Sequence, residues 1–347
     1  MFENSSKTSL EQLGEFGLID HLAKSIEHYN KSTKLGIGDD CAVIDSGKHF
    51  TLVTTDSLVE GIHFDLLYTP LKHLGYKCII ANISDICAMN GKPEQVLVSL
   101  AVSSRFTLEA IEELYAGMNL ACKKYGVDLV GGDTTSSIHG MFIGITAIGV
   151  VEKNNVVYRS GAGVHDLLCV TGDLGAPYLG LQVLEREKDV YKENSTIQPD
   201  LEGYDYVLER FLKPEARTDV IAELEKRGVI PTSMIDISDG LSSEALHLCK
   251  KSVTGCDIYL SKIPVDSETQ RVAEEFNING LTSALHSGEE YELLFTIRQE
   301  DYEKMNAFRQ VTVIGHMTPD NGNVRLITNN NEAIPLEAKG WNAFDKE

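Results

Sequence analysis

The sequence contains no apolar run approaching the ~18–20 residues that span a bilayer. Its opening stretch, MFENSSKTSLEQLGEFGLID, carries acids and lacks the apolar core of a secretory signal. Seven cysteines are scattered without a C-x-x-C pair, several of them inside apolar runs. That pattern excludes a disulfide framework and a thiolate zinc site, and predicts reduced, buried thiols in a cytoplasmic protein. Cations are scarce. Against 52 Asp and Glu stand 31 Lys and Arg, a formal net charge of −21. Such a chain repels nucleic acid and anionic membranes, so neither is expected as a partner, and a phosphate substrate would need mediating cations. Several signatures are also missing. There is no G-x-x-x-x-G-K-[ST], since Gly47-Lys48 lacks the upstream glycine, and no G-x-G-x-x-G, H-R-D set or H-E-x-x-H. Ser238 sits in no G-x-S-x-G. P-loop, Rossmann, protein-kinase and zincin readings therefore fall away.

What is present suits two cores. A length of 347 residues suggests two domains, and 42% hydrophobic with 24% charged residues is ordinary for a soluble globular chain. Periodicity predicts a helix over 14–30, a strand in HFTLVTTDSLVEGIHF with Leu52 and Thr54 opposite Val53 and Thr55, and an apolar helix over 71–90. It then predicts a buried strand over 96–103 and a helix that Thr107 caps and Gly126 ends. VDLVGGD reads as a short strand and loop, and 141–152 as another strand. The second half reads as a strand at 166–171, helices near 178–188, 204–212 and 216–227, and a strand–turn–helix in MIDISDGLSSEALHLCKKS. HSGEEYELLFTI and VTVIGHM are strand-like. Strands and helices mix without a βαβ period, which predicts an α+β / α/β architecture of mixed sheets covered by helices, in domains 1–153 and 154–347.

The acids beside glycine and apolar strands carry the chemistry. Asp39 and Asp40 lie in GIGDDCAV, where an Asx turn is the plain alternative. Asp56 ends a strand as TTDS, where a helix cap or turn competes. Asp85 lies in CIIANISDICAM, a helix apolar on nearly every face, with Asn82 one turn before it on the same side. A carboxylate there is costly to bury unless it meets a metal or a distant partner. Asp133 stands in VGGDTTSS, where two glycines and two hydroxyls adjoin one acid. In MIDISDGL, alternation places Ile235 and Ile237 on one side and Asp236 and Ser238 on the other, while Asp239 falls where it could cap the next helix. Acids converging from six strand or helix ends need divalent cations. Magnesium suits them, being hard, oxygen-seeking and shared with substrate phosphates. Glycine N–H groups beside it could nest phosphate oxygens.

The ordered set GIGDDCAV, TTDSLVEGIHF, NISDICAMNGKP, GGDTT, YRSGAGVHDLLCVTGDLG, MIDISDGL and SGEEYEL resembles the thiamine-monophosphate kinase family, within the aminoimidazole-ribonucleotide synthetase-like ATP enzymes. The likeness runs from about residue 14 to the C-terminal KGW. It implies phosphorylation of thiamine monophosphate to thiamine diphosphate by ATP with several Mg2+ ions. It also implies an N-terminal domain that pairs with its twin in a homodimer, and a C-terminal domain that completes the cleft. By motif, it assigns Asp40, Thr54, Thr55, Asp56, Asp85, Asp133, Asp236 and Asp239 to metal. Gly132, Asp133, Arg159, Ser238 and Tyr115 fall to the nucleotide, and His63, Glu289 and Trp341 to thiamine phosphate. Asp40, Asp56, Asp85, Asp133 and Arg159 become the catalytic set. Read without the family, Arg159 is a fork for phosphate or a surface charge, and His63 a half-exposed histidine. Glu289 and Glu290 are solvated acids on a strand edge, and Trp341 fills a core or a dimer interface. Two departures stand out: SGEEY where the family often has G-G-E-D-Y, and Ala343-Phe344 where its tail often ends in His-Phe.

Competing readings are another ATP enzyme of the superfamily, such as an aminoimidazole-ribonucleotide or selenophosphate synthetase, and a non-catalytic acidic metal-binding protein. A selenophosphate synthetase would want a reactive cysteine in a Gly-rich loop, and no such loop surrounds Cys41.

Overall fold

The computed structural model describes residues 10–305 and 308–338. In chain order, the first half comprises α1 (Leu10–Ala23), β1 (Thr33–Leu35), β2 (Ala42–Asp45), β3 (Phe50–Val59), α2 (Leu71–Ala88), β4 (Lys92–Val102), α3 (Leu108–Tyr125), β5 (Asp128–Ser136) and β6 (Met141–Val151). Its strands form one sheet in the order β1-β2-β3-β6-β4-β5. Only β4 and β5 run parallel. α2 packs against α3 on one side and against β3 and β6 on the other. Leu52 is fully buried in that core, on the β3 face that alternation assigned it. The helices cross at Gly75 and Gly117. A Cβ on either would stand 1.9 Å from a carbonyl oxygen, of Leu114 or Lys72 respectively, so only glycine permits the approach. Thr107 caps α3 by accepting from the Ala110 N–H at 3.3 Å, and Gly126 ends it at φ 67°.

The second half comprises β7 (Leu167–Thr171), α4 (Ala176–Glu193), α5 (Asp205–Leu212), α6 (Thr218–Arg227), β8 (Ser233–Asp236), α7 (Leu241–Ser252), β9 (Gly255–Tyr259), α8 (Ser267–Glu275), α9 (Gly280–His286), β10 (Leu293–Ile297), α10 (Tyr302–Met305), β11 (Val311–Thr318), β12 (Val324–Ile327) and β13 (Ala333–Pro335). These strands form a second sheet in the order β13-β12-β9-β11-β7-β10-β8. β9 and β12 are parallel, the other pairs antiparallel. Ile235 and Ile237 enter one core beside Leu241 and Leu248, while Met234 and Phe295 enter another beside Val220 and Leu224. Each such side chain, once fully buried, contributes roughly 1.5–3 kcal/mol. The α2 helix belongs to both halves. It packs on β8, and its last residues Cys87 and Ala88 join the cluster of Met234 and Phe295. All seven cysteines are buried and unpaired. Among the described residues no helix is long and apolar enough to cross a membrane.

Three local expectations change. The first helix covers Leu10–Ala23, not 14–30, and breaks at Gly14 (φ 63°, ψ 177°). The segment VGGDTTSS is not a loop. β5 runs through it to Ser136, with a bulge that shifts the register between Val96 and Leu97 of β4. A Cβ on Gly132 would lie 1.9 Å from the Val98 oxygen, so glycine there serves close strand approach, which sequence alone cannot tell from a turn. Finally, β10 starts only at Leu293, and the preceding SGEEYE forms a loop.

Candidate active site

Three segments far apart in sequence bring their acids to one point. Asp40 follows β1, Asp85 lies in the last turns of α2, and Asp236 ends β8. Carboxylate oxygens of all three lie within 4.8 Å of one another. Two charged carboxylates at that separation repel by roughly 3 kcal/mol at an effective dielectric of about 20. The fold offsets this with donors. Thr54 Oγ1 donates to Asp85 Oδ2 at 2.6 Å, and Ser84 Oγ donates to Asp236 Oδ2 at 2.6 Å. Arg159 donates to Asp40 Oδ1 from Nη2 at 2.6 Å and from Nε at 3.1 Å. The other oxygen, Asp40 Oδ2, is buried and has no hydrogen-bond partner.

Protonation reflects the crowding. Burial first, then the Asp56, Asp236 and Asp40 carboxylates, push Asp85 well above the usual carboxylate range. Burial and then Asp40 push Asp236 up to about 7. Burial and then Glu15 raise Asp239 to about 6 and also raise Asp56. An unpartnered buried oxygen amid all-oxygen donors fits a hard divalent cation such as Mg2+.

The remaining residues sort themselves around this centre. Thr54 faces it, as its bond to Asp85 requires. Thr55 lies on the opposite sheet face and donates its hydroxyl to the Ile145 carbonyl at 2.9 Å. The Asp56 N–H donates to Asn82 Oδ1 at 2.9 Å, so Asn82 fixes the strand that carries Asp56. Asp39 accepts from the N–H of Asp40 at 3.1 Å and from that of Arg159 at 3.2 Å, a turn that ties the two halves together. Asp239 does not cap α7 with its side chain; Gly240 holds that position, and the buried Glu244 carboxylate accepts from the Asp239 N–H at 3.0 Å. Ser238 is exposed, and its carbonyl accepts from the Glu289 N–H at 2.7 Å.

Gly132 and Asp133 are not brought to the triad within one chain. They lie on the edge strand β5, three strand spacings, or roughly 14 Å along the sheet, from Asp56. Tyr115 packs its ring against the first core. His63 Nδ1 accepts from the Val59 N–H at 3.1 Å, so that nitrogen carries no proton, and burial lowers its pKa. Trp341, Ala343 and Phe344 lie outside the described residues.

Glu289 and Glu290 are not a pair of solvated acids. Glu289 pairs with Lys77 Nζ at 2.7 Å. Glu290 is fully buried and accepts from Arg210 Nη2 at 3.2 Å and the Gly175 N–H at 2.5 Å. Sequence reasoning missed Lys77, Ser84 and Glu244. The rule that singled out Asp85 applies equally to Lys77, a charge in the same apolar helix that needs a distant partner. Nothing local marks Ser84, since a serine in a helix is ordinary.

The model of the AIR synthase related protein N-terminal domain matches residues 38–151, and that of the C-terminal domain matches 163–327. The thiamine-monophosphate kinase of Bacillus subtilis is 34% identical, over 96% of this chain and 100% of its own length. The chain belongs to the thiamine-monophosphate kinase family. The family's enzyme from Aquifex aeolicus is likewise 34% identical over 96% of this chain. The solved structure of AaThiL complexed with AMPPCP and TMP superposes with a TM-score of 0.83 at 33% identity, covering 98% of this chain and all of that one. This thiamine-monophosphate kinase family fold, two mixed sheets covered by helices, is the one expected from the sequence. It gives no support to thiol chemistry at Cys41. That thiol is buried, and burial followed by Asp85 and Asp40 pushes its pKa well up, away from thiolate.

Proposed function

We propose that this chain transfers the γ-phosphate of ATP to thiamine monophosphate, giving thiamine diphosphate and ADP. The observation that carries the reading is the unpartnered Asp40 Oδ2 within the Asp40–Asp85–Asp236 cluster, in a chain that aligns end to end with thiamine-monophosphate kinases. Asp40, Asp85 and Asp236 would hold Mg2+, with Thr54, Asp56, Asp239 and, from a second copy of the chain, Asp133 completing the set for several ions; Thr55, whose hydroxyl donates to the Ile145 carbonyl on the other sheet face, drops out of it. When bound, Mg2+ supplies charge neutralisation between two polyanions.

The protein's own groups bind and align. Arg159 is held at its N–H by Asp39 and at its guanidinium by Asp40, which leaves its Nη1 edge for a nucleotide phosphate. Ser238, Gly132 and Tyr115 are assigned to the nucleotide, and His63, Glu289 and Trp341 to the acceptor. His63 binds as a neutral ring, since Nδ1 already accepts from Val59. No general base is needed. A phosphate monoester has its second pKa near ~6, so the attacking oxygen is already deprotonated at pH 7. What it needs is alignment with the γ-phosphorus for direct in-line transfer.

We further propose a cytoplasmic homodimer built from an N-terminal domain, 1–153, and a C-terminal domain, 154–347. Gly132 and Asp133 sit on an exposed edge strand flanked by the exposed apolar Val130 and Ile138, which supports apposition with a second copy. The function is tested by incubating the protein with ATP, Mg2+ and thiamine monophosphate and separating the thiamine products. Thiamine diphosphate formed in step with ADP is expected. ADP without thiamine diphosphate would move the activity to another acceptor.

A further inference from the structure

The loop SGEEYE (287–292) holds two non-glycine residues in left-handed conformation, Glu289 at φ 60° and Tyr291 at φ 54°. Such residues persist only where their surroundings over-determine them. Here the backbone is pinned to the end of β8. Glu289 N–H donates to the Ser238 carbonyl at 2.7 Å, Tyr291 N–H to that of Ile237 at 3.0 Å, and Ile237 N–H to that of Glu292 at 2.7 Å. The side chains then diverge. Glu290 and Glu292 point into the second half of the chain. There Arg210 reaches Glu292 Oε1 at 3.0 Å and Glu290 Oε2 at 3.2 Å, and Arg217 reaches Glu292 Oε2 at 2.6 Å. Two buried carboxyl groups thus meet two guanidinium groups, of which Arg217 also pairs with Asp219 at 3.0 Å. Tyr291 points the other way, into the first core, and Glu289 reaches Lys77 on α2.

Lys77 is only 4% exposed, too enclosed to touch a ligand, whereas Glu289 keeps 31% of its side chain open. The Lys77 ammonium rests 4.1 Å from the centroid of Phe211, the neighbour of Arg210 on α5. One short helix therefore carries Arg210 and packs on Lys77, two of the three cations that hold the loop. The same α2 that carries Asp85 and Asn82 presents Lys77 two turns earlier.

We propose that Lys77 and Arg210 are positioning residues that fix Glu289 in the acceptor cleft, and so set affinity for the acceptor without touching it. This rests on the reading above, in which Glu289 contacts thiamine monophosphate. It also assigns the Glu290 departure from the family pattern to the support of the loop, because Glu290 faces Arg210 and Gly175 and not the cleft.

The test uses the full-length enzyme with Lys77→Met, which keeps the packing on Phe211, and Arg210→Lys, which keeps the charge but loses the fork. The Michaelis constant for thiamine monophosphate is expected to rise about tenfold in each while that for ATP stays within about twofold. Amide hydrogen exchange over 287–292 should speed up about tenfold in Arg210→Lys, with no change around Asp85. Equal rises for both substrates, or no rise for either, overturn the proposal. If the wild-type enzyme makes no thiamine diphosphate, the functional reading fails by itself. Positioning is then judged on exchange alone, and unaltered protection of the Glu289 amide in Arg210→Lys overturns it.

Discussion

Ser84 on α2 donates a 2.6 Å hydrogen bond to Asp236 Oδ2 at the end of β8, joining the two halves of the chain inside the acidic cluster. It is the donor the structure gives Asp236, whose carboxyl burial and Asp40 otherwise push toward protonation. Ser84→Ala leaves that carboxylate oxygen unsatisfied, a loss of about 1–3 kcal/mol. We expect a Mg2+ affinity lower by about tenfold and a turnover restored in part by excess Mg2+, read by calorimetric titration and by rate against Mg2+ concentration. An unchanged Mg2+ dependence would make the Ser84 contact purely structural.

Asp85→Asn removes the carboxylate most crowded by its neighbours. The metal-free protein should melt a few degrees higher, since ~1 kcal/mol moves the midpoint by about 2–4 °C in a domain this large. Turnover should vanish, together with stabilisation by Mg2+. Asp56→Asn and Asp133→Asn should also abolish turnover with the fold intact, seen as an unchanged far-ultraviolet dichroism spectrum. A variant that unfolds while still binding metal would assign its acid to capping instead.

The raised acids make the apo-protein sensitive to pH. Asp236 sits at about 7 and Asp239 at about 6 in the folded chain, against ~3.9 when unfolded. Between these values the folded state holds more protons than the unfolded one. Stability is therefore fully present below about pH 4 and is lost as pH rises through 6 and 7. With a chelator, the melting temperature is expected to fall from pH 5 to pH 8 on account of these groups. With Mg2+ the fall should shrink, because the cation replaces the protons. A flat chelated profile would mean that the acids are charged and tolerated without metal.

Direct transfer has a stereochemical signature. With ATP made chiral at the γ-phosphorus, inversion is expected, since neither Cys41, buried as a thiol, nor His63, held at Nδ1 by Val59, is set up as a phosphoryl carrier. Net retention would require two displacements through an enzyme nucleophile, and the site described above would then need another one.

The sequence by itself determined which face each residue takes and which residues are out of place. Alternation in MIDISDGL put Asp236 opposite Ile235 and Ile237, and a carboxylate in the apolar run around Asp85 had to find a partner. The ordered motifs carried the family. Only the tertiary structure decided which acids meet. Asp40, Asp85 and Asp236 converge because α2 packs on both β3 and β8, whereas Asp133 stays three strands from Asp56 because β5 takes the sheet edge. Alternation had already set Thr54 and Thr55 on opposite faces, but only the fold shows that Thr54 is the one facing the acids, and Glu290, read as a solvated acid, is buried against Arg210. Periodicity is a local property of backbone geometry, legible residue by residue. Convergence depends on strand order and helix crossing, which are set by the summed burial of segments distant in sequence and by close approaches such as that of Gly75 and Gly117.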